Sequence, residues 1–190
     1  MNNTLSFKSN LLVIISSPSG AGKTSVCKKI IEEDKKIKLS ISHTTRAPRD
    51  NETDGVDYFF ISSDRFNNKI LDQSFLEHAN VFGNYYGTSK KNVEEILSEN
   101  FDVLFDIDWQ GAAQILNSNL AKIVTIFLIP PSKDVVFERL KKRSKATGDD
   151  HDSIQKRMLE YENEMIHANE YGYVVINNNF EECVKKVMNI

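Results

Sequence analysis

Only two cysteines, Cys27 and Cys183, occur in the 190 residues. That excludes a disulfide framework, and their spacing holds no metal. Two inert thiols in a reducing compartment are expected. Glycine (eight) and proline (four) are sparse, which excludes collagen-like and low-complexity chains. Long apolar runs are missing. The strongest, 11–15 and 123–129, are far too short to span a bilayer, so no membrane partner is expected. Residues 1–10 lack a basic stretch leading into a long apolar one, so a cytoplasmic location is the expectation. The four histidines (His43, His78, His151, His167) have no ligand spacing and read as packing or surface residues. What is present is 40% hydrophobic and 27% charged, the composition of a globular chain with a substantial core.

The net charge of −3 gives no reason to expect nucleic acid, but its distribution is uneven. Between positions 139 and 157 seven basic residues face three acids, an excess of +4 that leaves −7 elsewhere. A basic segment on an acidic chain suits a compact anion, although any single lysine in it reads as a solvated surface residue.

Residues 11–16 form a β-branched, apolar run ending in a Pro/Gly cluster, the pattern of a buried strand. A helical pattern follows from Gly22, with Val26, Ile30 and Ile31 on one face. Residues 101–107, 123–129 and 173–176 read as further buried strands. Helices are expected after them, from about Gln110, from Ser132 as a cap, and from about Phe180. Alternating buried strands and helices predict an α/β fold, a parallel sheet covered on both faces. The stretch 40–90 breaks this rhythm with clustered aromatics and short alternating runs. It predicts a small, mostly antiparallel insertion with a helix near 64–71. The polar stretch 148–153 is a candidate lid segment.

Ser17, Pro18, Ser19, Gly20, Ala21, Gly22, Lys23 and Thr24 join the first strand to the first helix. Backbone N–H groups around Gly20 and Gly22 can wrap a phosphate because no Cβ obstructs it, and the helix N-terminus adds partial positive charge. Lys23 then reaches the terminal phosphates and the Thr24 hydroxyl suits Mg²⁺. Ser17 stands where the phosphate-loop pattern has its first glycine. The strand 101–107 carries Asp106 near its end, a natural carboxylate for Mg²⁺, directly or through water. Asp108, two residues on, points the same way if the strand extends that far; alone it reads equally as a helix cap. Arg46 and Arg49 flank Pro48 on a loop, where two guanidinium forks suit bidentate capture of a phosphate. The bland reading is two surface arginines pairing with Asp50 or Glu52.

Together the segments SSPSGAGKT, SHTTRAPR, GVDYFF, FLEHANVFGNYYGTS, FDIDWQG and ERLKKRSK…QKRM, in this order over about 11–180, resemble the guanylate kinase family. The resemblance implies a P-loop three-layer α/β/α core, a small mixed α+β nucleotide-binding insertion and a helical lid. The expected boundaries are a tail at 1–9, a core at 10–40, 94–138 and 172–190, an insertion at 41–93, and a lid with its following helix at 139–171. It implies transfer of a phosphoryl group from ATP to GMP, with Mg²⁺. Arg46 and Arg49 would hold the GMP phosphate, helped by Tyr58 and Tyr86. Glu77 and Asp108, with Ser42, Gly87 and Thr88, would face the guanine. Residues 17–24 and Asn177 would bind ATP, and Lys23, Arg46, Arg139, Arg143 and Arg157 would act on the transferring phosphate. A homo-oligomer is compatible with this reading. Residue types alone leave Tyr85 and Tyr86 undecided as the ligand-side ring, and would not have singled out Glu77.

The chain departs from the family pattern at Ser17, at Asn177-Asn178-Asn179 and at Ser144; none of these removes a reacting group. Two other readings compete. A kinase for a different nucleoside monophosphate is disfavoured by Glu77 and the paired arginines. A non-catalytic binding module is disfavoured by the presence of Lys23, Thr24 and Arg143.

Overall fold

The computed structural model describes residues 10–118, 120–147 and 151–190. The expected tail at 1–9 and positions 148–150 of the expected lid segment lie outside the described residues. Two compact units emerge, 1–14 with 36–124 and 15–35 with 125–190.

The chain starts with β1 (Leu11–Ser16), α1 (Lys23–Glu33) and β2 (Ile37–Leu39), then β3 (His43–Thr44), β4 (Phe59–Phe60) and α2 (Ser63–Leu71). β5 (Phe75–Val81), β6 (Asn84–Ser89), α3 (Lys90–Ser98), β7 (Asp102–Asp106) and α4 (Trp109–Leu116) follow. β8 (Lys122–Ile129), α5 (Lys133–Thr147), α6 (His151–Met165), β9 (Tyr173–Ile176) and α7 (Phe180–Met188) complete it. One sheet has the order β2-β7-β1-β8-β9, with parallel β2/β7 and β8/β9 pairs; a second has the order β4-β3-β6-β5. The unit boundary falls inside β1 and β8.

In the first unit, β7 buries Val103, Leu104 and Phe105 completely, as a strand covered on both faces requires. Each such side chain is worth about 1.5–3 kcal/mol of apolar burial. The second sheet is antiparallel except for the β3/β4 pair. Its aromatics form the packing centre of the expected insertion: Phe66 lies 4.6 Å from Phe75 and 5.4 Å from Tyr85, centroid to centroid. The Ser62 hydroxyl caps α2 by accepting the Arg65 N–H.

His43 belongs to this cluster, 4.9 Å from Phe59 and 5.6 Å from Phe75. Burial, aided by the Lys69 charge, lowers its pKa to about 4. The folded chain therefore holds a neutral ring that the unfolded chain protonates near pH 6.5. This contribution to stability is full above pH 6.5 and is lost as pH falls towards 4, by up to about 3 kcal/mol. Urea unfolding of His43→Phe should show a shallower loss of stability between pH 6.5 and 4.5 than the parent. Parallel curves would refute the assignment.

In the second unit, Val136 and Leu140 of α5 pack with Ile154 and Tyr161 of α6. The Ser132 hydroxyl accepts the Val135 N–H, the cap expected for α5. β9 differs from expectation. It is an edge strand, and of its four residues only Val175 is buried, because nothing among the described residues pairs with its outer side. No helix among the described residues is long and apolar enough to cross a membrane.

Candidate active site

The phosphate loop lies in the second unit. It turns at Gly20 and Gly22, whose φ values of 84° and 96° are left-handed and strained for other residues. A Cβ on Gly20 would meet Val136 at 3.1 Å, and one on Gly22 would meet Asn177 Nδ2 at 2.7 Å. The loop is thus seated against α5 on one side and Asn177 on the other. Gly22 caps α1 without a side-chain hydrogen bond, so the helix N-terminus offers backbone donors. Lys23 opens the helix half-buried, and Thr24 is exposed.

Two side chains expected to touch nucleotide also brace the loop. Arg139 donates from Nη1 to Ala21 O (3.1 Å) and from Nη2 to Asn177 O (3.1 Å). Asn177 donates from Nδ2 to Ala21 O at 2.7 Å and is buried. Both arms of the Arg139 fork are engaged with carbonyls. Arg143, the next turn along, is half-buried. From α6, Arg157 Nη1 donates to the Ser19 hydroxyl at 2.9 Å, while Glu164 Oε2 accepts the Ser19 N–H at 3.0 Å. Arg157, in the segment expected as a lid, therefore sits on the loop. Glu164 carried no signal in the sequence; its relation to Ser19 spans 145 positions.

The first unit holds the second constellation. Arg46 Nη2 donates to both oxygens of Glu52 (2.8 and 2.9 Å) and Nε donates to the Tyr86 hydroxyl at 3.3 Å. Glu52 also accepts the Arg49 N–H at 2.9 Å and lies 3.5 Å from Arg49 Nη1. The ion pair with Glu52 is thus present, and it fixes the two guanidinium groups relative to each other. Burial opposes the charges, but for Arg46 the Glu52 bond and the Tyr86 hydroxyl outweigh it and raise the pKa. Burial likewise opposes the Glu52 charge, and the two arginines outweigh it and lower the pKa. Tyr58 lies 5.9 Å from Tyr86, ring to ring, with the Arg46 guanidinium 5.5 Å above it. Burial first, then the Asp106 charge, pushes the Tyr58 phenol well above its ordinary value, so it stays a neutral donor. Tyr86 is thus the tyrosine beside the arginines, and Tyr85 stacks on Phe66.

Glu77 is 2% exposed. Its Oε1 accepts the Thr88 hydroxyl at 2.6 Å, and Thr88 Oγ1 lies 3.3 Å from Ser42 Oγ. The β5/β6 register slips between Phe75 and Glu77, a bulge of the kind that re-aims a side chain. Gly87 is closely packed: a Cβ there would lie 3.1 Å from Glu77 O, Phe66 and Phe75 and would press these neighbours back by a few tenths of an ångström. Asp108 lies beyond the end of β7, so the strand geometry expected to align it with Asp106 does not extend to it. It caps α4 instead, its Oδ1 accepting the Gly111 N–H at 3.0 Å and its Oδ2 the Gln110 amide at 2.9 Å. Asp106 ends β7 half-exposed.

A strand, a glycine turn carrying Lys23-Thr24 and a helix, with Arg139 and Arg157 bonded to the turn, define a P-loop α/β protein. Comparison with known proteins narrows this. The guanylate kinase family model matches residues 9–190. The chain is 45% identical over 180 residues to the guanylate kinase of Rickettsia bellii, covering 95% of this chain and 92% of the relative. It is 48% identical over 180 residues to that of Hydrogenovibrio crunogenus, covering 94% and 85%. The crystal structure of guanylate kinase from Anaplasma phagocytophilum superposes with a TM-score of 0.77 at 32% identity, covering 95% of this chain and 83% of that one. The chain belongs to the guanylate kinase family.

Proposed function

We propose that the protein catalyses ATP + GMP → ADP + GDP, with the phosphate loop holding the donor and the Arg46–Glu77 region holding the acceptor. The observation that carries the acceptor assignment is the buried Glu77 carboxylate in its hydroxyl chain with Thr88 and Ser42. Guanine presents N1–H and N2–H₂ as adjacent donors, which a carboxylate accepts together. Adenine presents a ring acceptor there and would leave the buried charge poorly paired. The GMP phosphate falls to Arg46 and Arg49, preset by Glu52, and to the neutral Tyr58 and Tyr86 hydroxyls.

The nucleophile is an oxygen of that phosphate. Its second pKa is about 6, so it is already ionised near neutral pH and needs no general base. Its oxygen bonds to the γ-phosphorus as the bridge to the β-phosphate breaks, and ADP leaves with that oxygen. Catalysis then rests on alignment and charge neutralisation, which Lys23, Arg143 and Arg157 supply. Arg139 and Asn177 keep the loop in shape. The Thr24 hydroxyl and the Asp106 carboxylate suit Mg²⁺, an oxygen-seeking ion that takes one or two carboxylates and fills its shell from nucleotide and water. When bound, it neutralises charge on the donor phosphates. We place the protein in the reducing cytoplasm, and the buried thiols of Cys27 and Cys183, which form no disulfide, accord with that.

Glu77→Gln keeps the shape and exchanges an acceptor for a donor. It should lose a charge-assisted hydrogen bond worth about 1.5–3 kcal/mol, which is about tenfold to over a hundredfold in kcat/KM for GMP. The KM for ATP should not move. Comparing GMP with AMP as acceptors tests the reading, and an unchanged ratio would remove Glu77 from base recognition.

A further inference from the structure

β5 is an edge strand of its sheet, yet its outer backbone is not left to water. Gln114 of α4 accepts the His78 N–H at 3.1 Å and donates to His78 O at 2.8 Å. One side chain thereby reproduces both bonds of a missing neighbouring strand. Gln110, one turn earlier, donates to Asn80 O at 3.3 Å and to Asp108 Oδ2 at 2.9 Å. Between them in sequence, Gly111 lies against the base-reading carboxylate of the acceptor region. A Cβ on it would stand 2.5 Å from Glu77 Oε2 and 3.0 Å from its carboxyl carbon.

We infer that α4 is the positioning element for guanine recognition: Gln114 fixes the backbone beside Glu77, and the bare face of Gly111 sets where the carboxylate rests. The inference rests on the reading that Glu77 accepts the guanine donors. The bulge before Glu77 aims its side chain, and α4 stops it from swinging away from that aim. A strand edge pinned chiefly by Gln114, with one further bond from Gln110, is sensitive to that residue, because an edge has no second strand to hold register. A carboxylate displaced by about 1 Å can no longer accept two adjacent donors in line, and misplacement of that order costs up to about a hundredfold.

Two substitutions test this, each measured beside Glu77→Gln with GMP and AMP as acceptors. Gly111→Ala is favourable for the helix backbone, and its new methyl meets the far end of a side chain, so the fold should survive while the carboxylate moves. It should lower the GMP/AMP ratio of kcat/KM by about tenfold or more, with the KM for ATP unchanged. Gln114→Met keeps length without hydrogen bonds and should lower the same ratio several-fold by raising the KM for GMP. Gln114→Glu, which retains the acceptor for the His78 N–H, should recover part of it. If Glu77→Gln collapses the ratio and both α4 variants leave it intact, the inference is overturned while the base reading stands. If Glu77→Gln itself leaves the ratio intact, the base reading has failed and the inference with it. A loss confined to thermal stability, with the ratio preserved in the folded fraction, also overturns it.

Discussion

Lys23→Ala should lower kcat by about a hundredfold to a thousandfold, the range seen when one preorganised group facing developing charge is removed. The transferring phosphoryl group passes through a state in which charge spreads over its oxygens, and an ammonium at the loop acts on that charge. The fold should be unaffected. Lys23 is the first residue of α1 and is only half-buried, and alanine is a better helix former than the lysine it replaces. The loop's own shape comes from elsewhere: the left-handed turns at Gly20 and Gly22, and the Arg139 and Asn177 bonds to Ala21 O. Steady-state GDP formation and a thermal melt, run together, check both halves. GDP formation near the parent rate would remove the phosphate loop from the mechanism.

Arg143→Ala should cut kcat by about a thousandfold while the KM for GMP changes little, as for an arginine acting mainly in the transition state. The expectation depends on the division of labour along α5. Arg139 spends both arms of its fork on the carbonyls of Ala21 and Asn177, and the role proposed at the moving phosphate falls to Arg143, one turn further along. Replacement of Arg139 should therefore behave differently, weakening ATP binding through a loosened loop. Arg143→Lys restores charge without the planar fork and should recover only part of the rate. A raised KM for GMP with normal kcat would place Arg143 at the acceptor instead.

The two constellations differed in how far a linear reading reached. Residues 11–24 are contiguous, and each step of strand, glycine turn and helix N-terminus is a local conformational preference. Their elements stand where the pattern put them, β1 at Leu11–Ser16 and α1 from Lys23. Likewise α2 and α7 begin within a residue of expectation, because a hydroxyl or amide cap and an apolar periodicity are written into short windows. The same local signal locates the strand at Tyr173–Ile176 but not its exposure. An apolar run does not say whether its strand lies at the centre of a sheet or at its edge.

The acceptor region was legible only in part. Two arginines three apart with an acid nearby admitted a phosphate site and a surface ion pair alike. The structure contains the ion pair, and in it Glu52 orders the pair of forks. Choosing Tyr86 over Tyr85 needed the strand pairing that turns one ring towards Arg46 and the other onto Phe66. Asp108 depended on where β7 stops, a boundary that sequence locates to within a few residues at best; it stops at Asp106, which leaves Asp108 to cap α4.

By itself, then, the sequence determined the phosphate loop, the alternation of strands and helices, the basic segment at 139–157 and, through the resemblance carried by six ordered segments, the family. These are properties of neighbours along the chain, set by backbone preference and local charge. Only the tertiary structure decided that Arg139 and Asn177 brace Ala21, that Glu164 and Arg157 meet at Ser19, that Gly111 lies against the Glu77 carboxylate and that Gln114 bonds the His78 backbone. Each of those contacts joins residues from 34 to 156 positions apart. The hydrogen bonds and close approaches that fix a functional group exist only once packing brings such distant segments together, and no local propensity encodes them.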